Sequence, residues 1–228
     1  MKKIRLNITD FKTIIDNNYY YVDKSLLIKD VLNEKVVFYI RPKGFGKSLN
    51  MSMLYYFFSI NESNNSYLFE QLKISQDKKA KLHQNKYPVI ALSFKDLTAN
   101  NFNDMIIGYQ NILKTWLKNN IPNYKKEATL YNLTTENISI IDLSNSLSTI
   151  SQYLKDYYHQ NVIILIDDYD TPLYFSSFNH YNDKAEQFIN NLIKHTTNNK
   201  AIFKAIFTGR TTLKYEYWYI YNYQNNTI

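Results

Sequence analysis

The chain contains no cysteine, which removes disulfide cross-links, thiolate nucleophiles and thiolate metal centres together. Histidine is scarce: His83, His159, His180 and His195 are scattered without paired ligand spacing, and no metal role is assigned to them. No apolar run is long enough to cross a bilayer, and the start Met1-Lys2-Lys3-Ile4-Arg5-Leu6-Asn7 lacks the apolar core of a secretion signal. A cytoplasmic location is therefore expected, with no membrane partner. Glycine and proline occur only four times each in 228 residues. In a chain that avoids glycine this strictly, the pair Gly44 and Gly46 marks a place where the backbone needs glycine.

What the chain has in excess is lysine, asparagine, isoleucine and tyrosine, and its formal charge is +7. That balance supports non-specific association with polyanions and nothing finer, since an AT-rich coding sequence enriches the same residues. The length fits one substantial domain with a real core, and no internal repeat or low-complexity linker divides it.

The two glycines sit in Val36-Val37-Phe38-Tyr39-Ile40-Arg41-Pro42-Lys43-Gly44-Phe45-Gly46-Lys47-Ser48, where an apolar run stops at a short loop. Beyond it Leu49, Met51, Met53, Leu54, Phe57 and Phe58 follow at roughly helical spacing. A strand, a glycine-bearing turn and a helix N-terminus together aim several backbone N–H groups inward, which is what a phosphate chain needs. In such a loop Lys47 would reach the β- and γ-phosphates of a nucleotide and Ser48 would ligate Mg²⁺. The candidate contacts run over Lys43, Gly44, Phe45, Gly46, Lys47, Ser48 and Leu49. Against this, the G-x-x-x-x-G-K-S/T pattern has its first glycine where this chain has Arg41, and Gly-Lys-Ser alone also fits an ordinary strand-to-helix turn.

A second anchor is Asn161-Val162-Ile163-Ile164-Leu165-Ile166-Asp167-Asp168-Tyr169-Asp170. A strand this apolar on both faces belongs inside a helix-covered sheet, and acids closing it lie at the edge where open α/β sheets bind ligands. Asp167 is the candidate Mg²⁺ ligand and Asp168 the candidate to orient or deprotonate an attacking water. Two other readings fit the same residues: a buried strand ending in a solvated acidic turn, and the Asp-x-Asp-x-Thr nucleophile of haloacid-dehalogenase-like phosphatases. Asp168 and Asp170 have the spacing for the latter, but Pro172 occupies its fifth position.

In order, these blocks are Ile8-Thr9-Asp10-Phe11, Tyr19 to Ser25, Arg41 to Leu54, Tyr87-Pro88-Val89-Ile90, Ile166 to Leu173, and Phe207-Thr208-Gly209. Taken together they resemble the AAA-ATPase-like family of P-loop proteins, often found upstream of a PD-(D/E)XK nuclease domain. The family's loop reads close to Arg-Pro-Arg-Arg-Phe-Gly-Lys-Thr, so Arg41 is a family habit. Two departures stand: the family has Asp-Glu where this chain has Asp167-Asp168, and its sequence after the Thr-Gly pair differs.

The resemblance implies a three-layer α/β sandwich around a mostly parallel sheet, with Walker A and Walker B elements at Lys47 and Asp167. By analogy with ATPases that insert a strand between those two, Thr208 would end the inserted strand and sense the γ-phosphate, and Arg210 could supply charge to the transferring phosphoryl group. Asp23 and Lys24 would lie beside the loop. Residues 1–209 would form the P-loop domain and 210–228 a divergent tail whose aromatic run, Tyr215 to Tyr223, stands where related proteins continue into a further strand and a helical lid. The expected function is ATP binding with slow Mg²⁺-dependent hydrolysis; the alternative is a nucleotide-binding or interaction module without turnover. A nucleic-acid or protein partner is expected from the nuclease association.

For the remainder, Pro88 to Phe94 and Ala201 to Phe207 read as strands, and Phe102 to Leu117, Ile138 to Tyr158 and Ala185 to His195 as helices. Ile121 to Asn137 is polar and reads as a mobile insertion, and Tyr174 to Tyr181 as a loop able to gate the acids.

Overall fold

The computed structural model describes residues 2–212. Four strands, β1 (Val36–Ile40), β2 (Val89–Ser93), β3 (Val162–Asp167) and β4 (Ile202–Gly209), form one all-parallel sheet in the order β1-β4-β3-β2. All six residues of β3 are buried, as a parallel strand covered on both faces requires. The strand predicted to separate the other two is β4.

Side chains alternate between two cores. On one face Val37, Val89, Ile163, Leu165 and Ile206 pack against α1 (Phe11–Asp16), α2 (Leu27–Asn33) and α3 (Lys47–Phe58), with α4 (Lys78–Lys81) at the rim. On the other, Phe38, Ile90, Leu92, Ile164, Ile166, Ala205 and Phe207 meet α5 (Phe102–Asn120), α6 (Ala128–Asn132), α7 (Ile140–Ser144), α8 (Ser146–Tyr158) and α10 (Asn182–Asn198). Period-2 alternation therefore sends Thr208 and Asp167 to the α3 side, two residues beyond Ile206 and Leu165. Among the described residues no helix is long and apolar enough to cross a membrane.

Helix α3 is braced from the N-terminal side. Asp10 caps α1 by accepting from Thr13 N (2.7 Å) and also accepts from the hydroxyls of Tyr56 (3.0 Å) and Ser52 (3.3 Å) on α3. Asp23, expected beside the phosphate loop, is engaged elsewhere: it accepts from Ser25 N and Lys73 N, both at 2.8 Å, and so anchors the chain to the turn at residues 73–76. Lys204, a charged residue in a buried strand, donates to Leu32 O (2.8 Å) and Glu34 O (2.6 Å), placing its ammonium at the C-terminal end of α2, where the helix dipole favours a cation.

Three further expectations need correction. Ile121 to Asn137 is no loose insertion: it holds a 3₁₀ turn and α6, and Tyr124, Leu130 and Leu133 are buried in the second core. Three apolar residues spaced along a polar background were too sparse to register as a periodic face. Tyr174 to Tyr181 is mostly helical, because α9 (Thr171–Phe178) starts directly after the acids with Pro172 in its first turn, a position that costs no hydrogen bond. Ile138 to Tyr158 is two helices, α7 and α8, meeting at Asn145. The aromatic run Tyr215 to Tyr223 lies outside the described residues.

The integration of residues 121–137 is testable. Leu130→Ala should lower the unfolding free energy by about 2–5 kcal/mol in denaturant titration, while Tyr131→Ala on the same short helix, at an exposed position, should change it by less than about 0.5 kcal/mol. Equal, near-zero effects would mean the segment is not part of the core.

Candidate functional site

The loop between β1 and α3 is built on left-handed glycines. Gly44 and Gly46 have φ of +87° and +75°, and Gly46 is the N-cap of α3 without a side-chain cap. Non-glycine residues pay for that conformation, so composition and geometry agree on why the scarce glycines are here. Nothing lies within 4 Å of where either Cβ would stand, so the loop's face is open at both.

Lys47 opens α3 and is 94% buried, with Nζ donating to the loop carbonyls of Arg41 (3.1 Å) and Pro42 (3.3 Å). Its ammonium is thus folded back into its own loop. Ser48 and Leu49 follow in the first helical turn, half-buried, whereas Lys43 and Phe45 are exposed at the loop tip. The first N–H groups of a helix have no partner within it, so this end offers donors as well as the lysine charge.

The other half of the site comes from β3 and β4. Tyr39 pairs with Thr208 and Ile40 with Gly209 across β1 and β4, and Arg41 N extends the ladder to Gly209 O (3.1 Å). Ser93 pairs with Asp167 across β2 and β3. The Thr208 hydroxyl makes a short hydrogen bond to the Asp167 carboxylate and also lies 3.3 Å from Asp168 N, which donates to it. Both Asp167 and Thr208 are buried.

Asp168 is the strained residue. Its φ is +51°, a left-handed backbone that aspartate tolerates better than most residues, and its carbonyl accepts from Thr171 N (3.1 Å) as α9 begins. Burial pushes its carboxyl above the usual carboxylate range, and the charges of Asp167 and Asp170 push the same way, while Lys47 and Arg210 pull it back. Arg210 is exposed one residue beyond the end of β4. Of the predicted site residues, Lys47, Asp167, Asp168 and Thr208 come together on the C-terminal edge of three adjacent strands, with Arg210 at their margin.

Asp170, considered only as half of a phosphatase motif, faces the exit of β4. Its Oδ2 accepts from Arg210 N (2.7 Å), Thr211 N (2.8 Å) and the Thr211 hydroxyl (3.0 Å). That oxygen is committed to the chain leaving β4. Gly209 is the matching half: a Cβ there would stand 2.7 Å from Tyr169 Cε1 and 2.9 Å from Asp170 Oδ1. A third rare glycine at a strand end was the available signal for this close approach.

The residues suit a Mg²⁺–nucleotide. Among the described residues no three His, Cys, Asp or Glu side chains cluster to hold a metal by themselves. Mg²⁺ bound with a nucleotide asks for less, one or two protein oxygens beside phosphates and water, and Ser48 and Asp167 provide oxygens of the right kind.

A family model described as predicted AAA-ATPase matches residues 5–215. Searches of the curated proteins and of the solved structures each returned no match. The family match spans nearly the whole chain and includes both halves of the site built above, and the all-parallel sheet with helices on both faces is consistent with a P-loop NTPase-like sandwich; this chain belongs to the predicted AAA-ATPase family.

Proposed function

We propose that the chain binds ATP with Mg²⁺ at the loop 41–48 and hydrolyses it slowly. The observation that carries this reading is the convergence of Lys47, Asp167, Asp168 and Thr208 at one sheet edge, with opposite charges felt at Asp168.

In this reading Lys47 leaves the carbonyls of Arg41 and Pro42 for the β- and γ-phosphates, an exchange of two neutral acceptors for charged ones. The N–H groups opening α3 donate to the same phosphates, and the two glycines let the backbone approach. Ser48 and Asp167 hold Mg²⁺, which when bound neutralises charge on the phosphate oxygens. Thr208 orients the Asp167 carboxylate through its hydroxyl, and Asp168 orients the attacking water and takes its proton. Arg210 lends positive charge to the γ-phosphate from the margin.

The shortness of Asp168 favours a second reading, nucleotide binding without turnover. The resemblance implies Glu at that position, and aspartate is one methylene shorter in a site where small misplacements are costly.

Two measurements separate these. Lys47→Ala should weaken equilibrium binding of a fluorescent ATP analogue by about 10- to 100-fold, as expected for losing a charged hydrogen-bond donor, and Mg²⁺ should strengthen binding to the unaltered chain. Folded protein that binds no analogue in either form sinks both readings. Asp168→Glu should raise phosphate release several-fold with nucleotide affinity unchanged, at a stability cost of about 1 kcal/mol for placing a longer side chain on left-handed backbone. No gain in phosphate release would leave binding without turnover as the better account.

A further inference from the structure

The exits of β3 and β4 are fastened to each other more thoroughly than sheet pairing requires. Besides the three bonds to Asp170, Tyr169 N donates to Thr208 O (2.9 Å), and the Tyr169 hydroxyl makes a short bond to Thr211 O. The Tyr169 ring is buried edge-on to Phe38 (5.4 Å between centroids), so the strap is anchored in the core. Residues 168–170 and 208–211 are therefore tied together by both backbone and side-chain bonds.

Asp170 is the costly part of that strap. It is 94% buried and spends one oxygen on three donors, a use of a carboxylate that makes sense where the position of the donors matters. Two of the three donors belong to backbone at Arg210 and Thr211. An exposed arginine on a free loop would contribute a diffuse charge, because ordering it at the moment of binding costs conformational entropy. With its own N–H held by Asp170, the Arg210 backbone is placed before any ligand arrives, close enough to the site for its charge to act on Asp168, and only the side chain is left to be ordered on binding.

We propose that Asp170 is a positioning residue that sets Arg210 to read the γ-phosphate, so that the site distinguishes ATP from ADP through Arg210. This rests on the nucleotide reading above. Asp170 itself touches no phosphate; its role is carried by the Arg210 and Thr211 backbone. Gly209 belongs to the same device, since a side chain there would push Tyr169 and Asp170 off the strap.

The test compares affinities for ADP and a non-hydrolysable ATP analogue, both with Mg²⁺, in the unaltered chain, Arg210→Ala, Asp170→Ala, Asp170→Asn and the Asp170→Ala/Arg210→Ala double variant. Arg210→Ala and Asp170→Ala should each weaken binding of the ATP analogue about tenfold while ADP affinity stays within about twofold, and the double variant should be no worse than the poorer single one. Asp170→Asn should retain most of the preference, because its amide oxygen still accepts from the backbone. Should Asp170→Ala not fold, Gly209→Ala, whose Cβ would stand 2.9 Å from Asp170 Oδ1, crowds the carboxylate away from the Arg210 and Thr211 backbone and should give an intermediate loss of preference.

The proposal is overturned if Asp170→Ala, or Gly209→Ala in its place, discriminates as the unaltered chain does, if ADP affinity falls in parallel, if the single effects add, or if Asp170→Asn is as poor as Asp170→Ala. An unaltered chain that binds neither nucleotide takes the ATP reading down with it. One that binds both equally overturns the role of Arg210 alone.

Discussion

The Thr208 hydroxyl is bonded in two directions, donating to the Asp167 carboxylate and accepting from Asp168 N–H, and the geometry of the site hangs on that bridge. It can form only because β4 runs parallel between β1 and β3, so that the ends of β3 and β4 lie side by side. Without the bridge, the Asp167 carboxylate would be a buried charge short of a partner, and Asp168 would lose a contact that helps hold its left-handed backbone. The sheet pays for nothing else polar at this depth on these two strands except Lys204, and that ammonium is satisfied by the carbonyls ending α2.

Around the bridge the fold works by exclusion. A sheet covered on both faces has room for chemistry only at its edges, and the C-terminal edge is where three strands release their chains into loops and helix starts. The loop after β1 supplies the lysine and helix N-terminus, the exit of β3 supplies three acids, and the exit of β4 supplies a hydroxyl and an arginine. Their charges act on one another: Asp168 is pushed up by burial and by its acidic neighbours, and the basic residues offset part of that. The three acids divide the labour by where their backbones point. Asp167 stays in strand register toward α3, Asp168 turns on a positive φ, and Asp170 turns back onto the β4 exit.

The sequence carried more of this than its weak motif promised. The burial of β3 on both faces followed from an unbroken aliphatic run, and the two left-handed glycines from their rarity and their place before Lys47-Ser48. The α5 and α10 helices were legible from apolar spacing, although each extends beyond the range read. Where reading fell short, the cause was interaction between distant segments. Leu130 and Leu133 look isolated in a polar stretch and are buried because α8 and α5 wait for them across the core. Tyr174 to Tyr181 looked like a loop by composition and is largely α9, because Pro172 and the turn at Asp168 launch a helix that local propensity alone underrates.

What the sequence by itself determined is therefore the inventory: which residues are strands, which glycines need positive φ, and which lysine, serine and acids close an apolar run. These are local properties, set by side-chain period and by the backbone freedom of single residues. The tertiary structure alone decided the pairings. That Thr208 meets Asp167, that Asp170 accepts from Arg210 and Thr211, that Gly209 must lack a side chain, and that Asp23 serves the turn at 73–76 instead of the loop after β1 all depend on segments tens of residues apart being laid next to each other. Strand order settles such contacts, and strand order is a property of the assembled sheet that no window of sequence contains.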